Sequence, residues 1–208
     1  MKLKVCGLKY PGNINQLFNE VEPDFAGFIF HAASPRYAAN LFHEKSEIFW
    51  QSKVRKVGVF VNSSPECIKT IYRELPINYL QLHGDETAEF CLKLKEKGFS
   101  VIKSFSIDPH FNFASLGAYR EAVDYFLFDT RGDFRGGNGI KFNWEKLREY
   151  PFDNPYFLSG GIAPGDVQKI NELADERLFA VDINSRFEIS PGEKDVTSIK
   201  EFYKKIKL

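Results

Sequence analysis

Eight short runs rich in β-branched and aromatic residues recur along the chain, and segments with helical spacing separate most of them. The runs are 2–6, 25–30, 56–61, 79–83, 100–105, 125–129, 156–159 and 178–184. The helical segments include 66–75, 87–97, 166–173 and 195–206. Several runs are apolar on both faces, as parallel strands buried between a core and a helix layer should be, and the connections are too long for hairpins. The alternation therefore predicts an α/β protein with a parallel sheet.

Eight βα units favour a single-domain (β/α)8 TIM barrel over residues 1–208. The length lies near the lower limit of roughly 200 residues for that fold, and it is short for two separate α/β domains. An open, doubly wound sheet is the alternative. Against it, no Gly-x-Gly-x-x-Gly follows the first run, where a dinucleotide-binding fold carries that motif. Pro65, Thr87 and Pro164 stand where helices are expected to begin.

Composition limits the classes of partner. The 28 lysines and arginines balance 28 aspartates and glutamates, so no excess of positive charge favours nucleic acid or an anionic membrane, and we expect a small-molecule partner. Three cysteines without short paired spacing predict neither a disulfide framework nor a zinc site and favour a reducing, cytoplasmic location. We find no signal-peptide pattern and no apolar stretch approaching about 18 residues. Charged residues dominate the predicted helical faces, which favours a monomer.

The carboxyl ends of the strands form the functional face of a closed barrel, so candidate residues can be collected from eight places. Seven of the eight ends carry polar or glycine residues: Cys6-Gly7, Ser34-Pro35-Arg36, Asn62, Gln81-Leu82-His83-Gly84, Asp129, Ser159-Gly160-Gly161-Ile162 and Asp182-Ile183-Asn184-Ser185. The fifth run ends in Phe105 and has only Lys103 and Ser104 nearby. We expect these side chains to converge on one site.

Cys6 and Asp129 are the predicted acid/base pair, because each closes an apolar run at this face. A thiol is a base only as thiolate, and its ordinary pKa of about 8.5 has to be lowered. Lys4 lies two residues earlier on the same face of the strand and is the predicted source of that field. An inert buried cysteine and a capping aspartate are the alternatives. The glycine-rich segment 130–138 suits a lid that excludes water.

Ser159-Gly160-Gly161 allows backbone N–H groups to approach an anion closely, and Asn184-Ser185 can open a short helix whose amino terminus faces the same point. Loops seven and eight often hold phosphate in such barrels, so we predict a phosphate site here. Two ordinary glycine turns are the alternative.

Two further side chains are candidates for contact with a ligand. Arg36, preceded by a rigid Ser-Pro, is well placed to bind a carboxylate through two hydrogen bonds, although a surface arginine is the simpler interpretation. His83 is a candidate for substrate binding, with a rim histidine satisfied by its neighbours as the alternative. Cys67 and Cys91 lie inside helical segments and are interpreted as inert.

Together these motifs resemble the phosphoribosylanthranilate isomerase family of the tryptophan pathway. The matches span nearly the whole chain: Lys4-Val5-Cys6-Gly7, Gly27-Phe28-Ile29-Phe30, Ser34-Pro35-Arg36, Val57-Gly58-Val59-Phe60-Val61-Asn62, Leu80-Gln81-Leu82-His83-Gly84, Asp129, Gly136-Gly137-Asn138-Gly139, Leu158-Ser159-Gly160-Gly161-Ile162, Val181-Asp182-Ile183-Asn184-Ser185, and Glu188 with Pro191-Gly192-Glu193-Lys194-Asp195. Each motif alone is weak, but their order and spacing are specific.

The resemblance implies a monofunctional barrel that converts N-(5-phosphoribosyl)anthranilate to 1-(2-carboxyphenylamino)-1-deoxyribulose 5-phosphate by an Amadori rearrangement, without cofactor or metal. Asp129 would be the general acid that opens the ribose ring, and Cys6 the general base that takes the C2 proton. The expected substrate-binding residues are Arg36, His83, Gly160, Gly161, Asp182, Asn184 and Ser185. Within this set the arginine would hold the anthranilate carboxylate, the aspartate would orient the sugar or the loop, and the glycines with the residues after strand eight would bind the phosphate.

The chain departs from the family pattern at three points. Ala180 replaces a glycine, Asn184-Ser185-Arg186 replaces a Ser-Ser-Gly turn, and Asn143 replaces an aspartate before a tryptophan. Arg186 either adds charge near the phosphate or points to solvent. Asn143 can cap a helix as aspartate does.

The sequence also allows other functions. The related isomerase of histidine synthesis would carry an aspartate at Cys6, and indole-glycerol-phosphate synthase would need a catalytic lysine, for which Lys103 is the available candidate. A non-catalytic phosphate-ligand binding protein on the same barrel, or a redox sensor using the Cys6 thiol, is the alternative from a different class. Asp129 and Arg36 argue against it.

Overall fold

The eight predicted runs form a closed barrel of parallel strands in sequence order. The computed structural model describes residues 1–39, 41, 47–130 and 143–206. The barrel strands are β1 (Lys2–Val5), β2 (Phe25–Ile29), β3 (Arg55–Phe60), β4 (Tyr79–Leu82), β5 (Ser100–Ile107), β6 (Tyr125–Thr130), β7 (Tyr156–Leu158) and β8 (Leu178–Ile183). β8 pairs with β1 in parallel, with Asp182 opposite Lys4, and this pairing closes the barrel. The predicted (β/α)8 fold is confirmed, and the open sheet is wrong.

Helices follow most strands and cover the outside of the barrel. The α-helices in the described ranges are α1 (Pro11–Glu20), α2 (Glu47–Gln51), α3 (Pro65–Glu74), α4 (Ala88–Glu96), α5 (Val167–Glu172) and α6 (Val196–Ile206). After β5 and β6 the chain forms 3-10 helices instead, over Phe113–Tyr119 and Trp144–Glu149. A short 3-10 turn, Ser185–Phe187, leads from β8 into a hairpin of two short strands, β9 (Glu188–Ser190) and β10 (Glu193–Lys194). The sequence patterns did not predict this hairpin.

The helix starts follow from capping chemistry. Pro65 is the first residue of α3, where its missing N–H costs no hydrogen bond, and Ser64 accepts from the backbone N–H of Cys67. Thr87 caps α4 in the same way, and Pro164 opens the 3-10 turn before α5. All three predicted helix starts are confirmed. Asn143 also acts as a cap, since its side chain accepts from the N–H of Glu145.

The half of the barrel interior nearer the amino ends of the strands is an apolar layer. Side chains alternate across each strand, so every second residue points inward. The inward residues of this layer are Phe25, Val57, Ile102, Leu127, Phe157 and Ala180, and all six are fully buried. The rings of Phe25 and Phe157 meet edge to face with centroids 5.3 Å apart. This layer fills the barrel on the amino side of the polar residues at the carboxyl ends of the strands, and it forms the apolar floor of the site.

All three cysteines are unpaired: Cys6 and Cys91 are buried, and Cys67 is exposed. Within the described ranges, no helix has the length and apolar character needed to cross a bilayer. The predicted glycine-rich lid lies outside the described residues from position 131 onward. The cytoplasmic location stays a prediction.

Candidate active site

A cavity of about 490 Å³ opens at the carboxyl ends of the strands. Each residue that the sequence assigned to the site lines this cavity: Cys6, Arg36, His83, Asp129, Gly160, Gly161, Asp182, Asn184 and Ser185. They come from the residue after β1, the loop after β2, the residue after β4, β6 itself, the turn after β7, and β8 with its following turn. The convergence inferred from strand ends is observed for these residues. Asn62, the candidate after β3, does not line the cavity, and its side chain accepts from the N–H of Asp85 at 2.7 Å.

Cys6 lies one residue beyond β1 and is held by a hydrogen bond from its backbone N–H to the carbonyl of Ile183 (2.9 Å). Gly7 then turns the chain with φ of +75°, a conformation that favours glycine. Gly27 on the neighbouring strand makes room for the thiol, since a Cβ at that position would lie 2.8 Å from Cys6 Sγ. Glycine at 27 thus gives the sulfur its place in the cavity wall.

Lys4 forms an ion pair with Asp182 across the β1/β8 seam, with Nζ 2.9 Å from Oδ2 and both side chains almost fully buried. Burial works against the charged ammonium, but the attraction of Asp182 outweighs it and raises the pKa of Lys4. Burial also raises the pKa of the Cys6 thiol, against the pull of Lys4 in the opposite direction. Lys4 thus acts in the predicted sense, but the net lowering that the sequence argument required is wrong for this structure.

Asp129 lies near the end of β6 and faces His83, with its Oδ2 3.5 Å from Nε2 of the imidazole. His83 Nδ1 lies 3.0 Å from Nε2 of Gln81, which donates to the hydroxyl of Ser104 at 3.1 Å. The carbonyl oxygen of Gln81 is buried and has no hydrogen-bond partner within the described ranges. A ligand hydroxyl in the cavity is a chemically matched donor for it.

The two halves of the predicted phosphate cradle face the same cavity. Gly160 and Gly161 adopt φ of +95° and +66°, which a side chain would disfavour, so the turn after β7 depends on glycine. Asn184 precedes the 3-10 turn, and its carbonyl accepts from the N–H of Phe187 at 3.1 Å. Arg186 also lines the cavity, which places its charge beside the cradle.

Arg36 is 9% exposed, so the surface-arginine alternative is wrong. Its Nε lies 2.9 Å from Oε1 of Glu188, and its Nη2 lies 2.7 Å from Oε2 of the same carboxylate. Glu188 also accepts from Lys194 Nζ at 2.6 Å, and Lys194 donates to Asn184 Oδ1 at 2.7 Å. Sequence reasoning missed Glu188 and Lys194 as members of the site. The only signal for them was their presence in the last of the matched family motifs.

The pKa values of Glu188 and Lys194 reflect both burial and contacts with charged neighbours. Burial favours a neutral Glu188, but the hydrogen bonds from Arg36 and the charge of Lys194 outweigh it and hold the pKa of the carboxyl below its ordinary value. Burial lowers the pKa of Lys194 to about 8, although Glu188 opposes the shift.

Lys103 does not line the cavity. It is buried in an ion pair with Glu86 at 3.2 Å and donates to the carbonyls of Leu82 and Gly84. These contacts fix the position of the loop that follows β4. The candidate lysine for an indole-glycerol-phosphate synthase is therefore engaged in structure, away from the site.

Comparisons with known proteins point to one family. The family model described as N-(5'-phosphoribosyl)anthranilate (PRA) isomerase matches residues 3–205. A Parabacteroides distasonis protein named N-(5'-phosphoribosyl)anthranilate isomerase is 39% identical over 99% of this chain and 93% of its own length. A Phocaeicola vulgatus protein of the same name is also 39% identical, over 100% of this chain and 98% of its own.

Two solved structures match the whole barrel. One is a crystal structure of mutually generated monomers of the dimeric phosphoribosylanthranilate isomerase from Thermotoga maritima. It superposes with a TM-score of 0.81 at 31% identity, and the match covers 100% of this chain and 98% of that chain. A phosphoribosyl anthranilate isomerase in complex with reduced 1-(o-carboxyphenylamino)-1-deoxyribulose 5-phosphate gives a TM-score of 0.80 at 31% identity with the same coverage. The chain belongs to the phosphoribosylanthranilate isomerase family, the isomerases of tryptophan biosynthesis.

Proposed function

We propose that this chain rearranges N-(5-phosphoribosyl)anthranilate to 1-(2-carboxyphenylamino)-1-deoxyribulose 5-phosphate, with Asp129 as general acid and Cys6 as general base. The observation that carries the proposal is the position of both groups in one cavity that also holds an arginine and a glycine cradle. The substrate has the matching parts: a carboxylate on the aromatic ring, a ribose and a phosphate. The non-catalytic binding protein on the same barrel becomes an outcome of the test below.

The acid step begins at the ribose ring. Asp129 gives its proton to the ring oxygen, the C1–O bond breaks, and the nitrogen lone pair forms a protonated Schiff base at C1. His83 Nε2, 3.5 Å from the carboxylate oxygen, can donate to the anion that remains. This contact stabilises the form of Asp129 that has lost its proton.

The base step completes the rearrangement. Cys6 as thiolate removes the proton from C2, and the electron pair moves toward the iminium nitrogen to give an enol with an amino group at C1. Protonation at C1 and loss of the hydroxyl proton at C2 then give the ketone, so the product has the formula of the substrate. Burial disfavours the thiolate, so the positive charges of Lys4 and Lys194 are the protein's means of stabilising it.

The binding assignments are those that the family resemblance implies, and the residues that line the cavity support them. Arg36 would hold the anthranilate carboxylate, since guanidinium and carboxylate match in geometry. Backbone N–H groups of Gly160, Gly161 and Ser185, with Asn184, would bind the phosphate. We assign His83 and Asp182 to the sugar side of the cavity, where Asp182 also anchors Lys4. The analogue held by the related crystal structure carries the same carboxylate and phosphate groups.

The test follows the fluorescence of freshly formed phosphoribosylanthranilate, with indole-glycerol-phosphate synthase added to remove product. Fluorescence should fall rapidly with the unmodified protein and at the spontaneous rate with Cys6→Ser or Asp129→Asn, a loss of on the order of 10²-fold or more for each. Matched controls are Cys67→Ser and Asp153→Asn, which change exposed residues by the same chemistry. Tight phosphate binding without turnover in a folded sample would favour the binding protein instead.

We also propose that residues 1–208 act as one catalytic domain and as a monomer. The large exposed apolar side chains of the described ranges are scattered over different elements: Met1, Tyr10, Trp50, Tyr72, Leu92 and Ile189. Scattered single residues do not require a partner surface. Sedimentation at micromolar concentration distinguishes a monomer from a dimer such as the Thermotoga maritima enzyme forms.

A further inference from the structure

The hairpin after β8 carries a buried carboxylate that the proposed reaction does not use. Glu188 accepts from Arg36 Nε at 2.9 Å and 3.1 Å and from Arg36 Nη2 at 2.7 Å. Its side chain is 5% exposed, and that of Arg36 is 11% exposed. Charge-assisted bidentate contacts of this kind fix both the position and the rotation of a guanidinium.

Glu188 is itself held in place from two sides. Lys194 Nζ lies 2.6 Å from Oε1, and the backbone N–H of Gly192 donates to the same oxygen at 3.1 Å. The backbone of Lys194 is paired with the side chain of Asn13 on α1, at 2.7 Å and 2.9 Å. The carboxylate is thus an anchored element rather than a mobile counter-ion.

This anchoring decides which edge of the guanidinium is left for a ligand. Glu188 occupies the edge formed by Nε and Nη2. Nη1 makes no hydrogen bond within the described ranges, so the Nη1 side is available to a ligand. The arginine stem passes over Gly7, where an added Cβ would lie 2.7 Å from Arg36 Cδ, so the path of the side chain is also constrained.

We propose that Glu188 is a specificity-determining positioning residue: it aims Arg36 so that the enzyme prefers an aromatic amine with an ortho carboxylate over one without it. This inference rests on the proposed function, in which Arg36 binds that carboxylate. Lys194 also pairs with Glu188, so the cluster of Arg36, Glu188 and Lys194 contains two cations and one carboxylate. The net positive charge of this cluster favours another anion.

The experiment compares two stable probes, which makes it independent of turnover. One is the reduced Amadori product with its ring carboxylate, and the other is the corresponding anilino compound without it. The preference is the ratio of their dissociation constants, measured by fluorescence or calorimetric titration. We expect Glu188→Gln to reduce this preference on the order of tenfold, chiefly by weakening the carboxylated probe. Glu193→Gln is the matched control, because it makes the same change in the same hairpin at a carboxylate that accepts from Ser190 instead.

The sign of the effect separates positioning from simple neutralisation. If Glu188 only offset the charge of Arg36, its removal would leave a more positive site and strengthen binding of the carboxylated probe, which would overturn the proposal. Glu188→Asp keeps the charge but withdraws the carboxylate by one methylene, so it should also lower the preference. Glu188→Asp also tests the proposal if the glutamine variant does not fold.

Arg36→Met supplies the remaining control. It should abolish the preference, and adding Glu188→Gln to it should change nothing further, because the glutamate acts through the arginine. Equal weakening of both probes by Glu188→Gln, or additive effects in the double variant, would refute the role. If the native protein binds neither probe, the proposed function is overturned, and this inference with it. If the native protein discriminates between the probes and Glu188→Gln leaves the preference unchanged, only the role of Glu188 is refuted.

Discussion

Gly27→Ala tests whether the space beside Cys6 is a requirement of the site. The added Cβ would lie 2.8 Å from Cys6 Sγ and 3.0 Å from Cys6 Cα. Carbon atoms in ordinary contact are separated by about 3.5–4.0 Å, so the thiol has to move by roughly 1 Å. Overpacking of this kind costs about 1–3 kcal/mol of folding free energy. A displacement of about 1 Å at a reacting group costs on the order of 10²-fold in rate. We therefore expect kcat to fall about 100-fold while the protein stays folded.

The measurement combines the coupled fluorescence assay with urea unfolding. Gly12→Ala is the control, because a Cβ at that position in α1 would meet no described atom within 4 Å outside its chain neighbours and its own helix backbone. Alanine there should stabilise the helix by up to about 1 kcal/mol. Native kcat in a folded Gly27→Ala variant would show that the sulfur does not need its observed position. A fall in kcat that matched only the unfolded fraction would refute the reasoning equally.

Three further perturbations separate charge, proton linkage and packing. Lys4→Met should cost about 3–5 kcal/mol of folding free energy, because it leaves Asp182 buried without its cation. It should also raise the pKa of Cys6 further, because the charge of Lys4 lowers that pKa. An unchanged rate of iodoacetamide labelling at pH 8 in a Cys67→Ser background would contradict this effect of Lys4. Lys194 has its pKa lowered to about 8 in the folded protein from 10.5, so the unfolded chain binds more protons between these values. The stability of the native protein relative to Lys194→Met should therefore rise with pH over this window, by at most about 1.4 kcal/mol per pH unit, and a constant difference in urea unfolding would contradict it. Phe25→Ala in the apolar floor should cost about 3–5 kcal/mol by urea unfolding, with kcat of the folded fraction changed less than about threefold because this ring does not line the cavity.

The barrel could be predicted from the sequence because the patterns that mark its strands are local. Runs apolar on both faces mark strands buried on both sides, and the carboxyl-end rule then brings the ends of distant runs to one face. Cys6, Asp129 and the glycines after β7 needed no other information. The 3-10 helices after β5 and β6 were not predicted, because they lack the sustained periodicity that identifies an α-helix.

The charge partners were not readable in the same way. Arg36 and Glu188 are 152 positions apart in sequence, and neither run of sequence indicates which charge will be buried against which. Glu188 and Lys194 lie in a short polar segment after the last strand, where solvated side chains are the usual expectation. Lys4 was placed correctly by strand alternation, but its ion pair with Asp182 and the net effect of burial on the Cys6 thiol depend on the closed barrel.

The seam between the first and last strands has a consequence for how this protein becomes active during synthesis. The thiol is near the beginning of the chain, whereas Asp182 lies 178 residues after Lys4. A nascent chain exposes Cys6 early, but the cation beside it gains its counter-ion only when β8 docks on β1. Contacts of such long sequence separation form late because they require closure of a long loop. Isomerase activity would therefore report completion of the last step of barrel assembly, and chains released before β8 would have no working site.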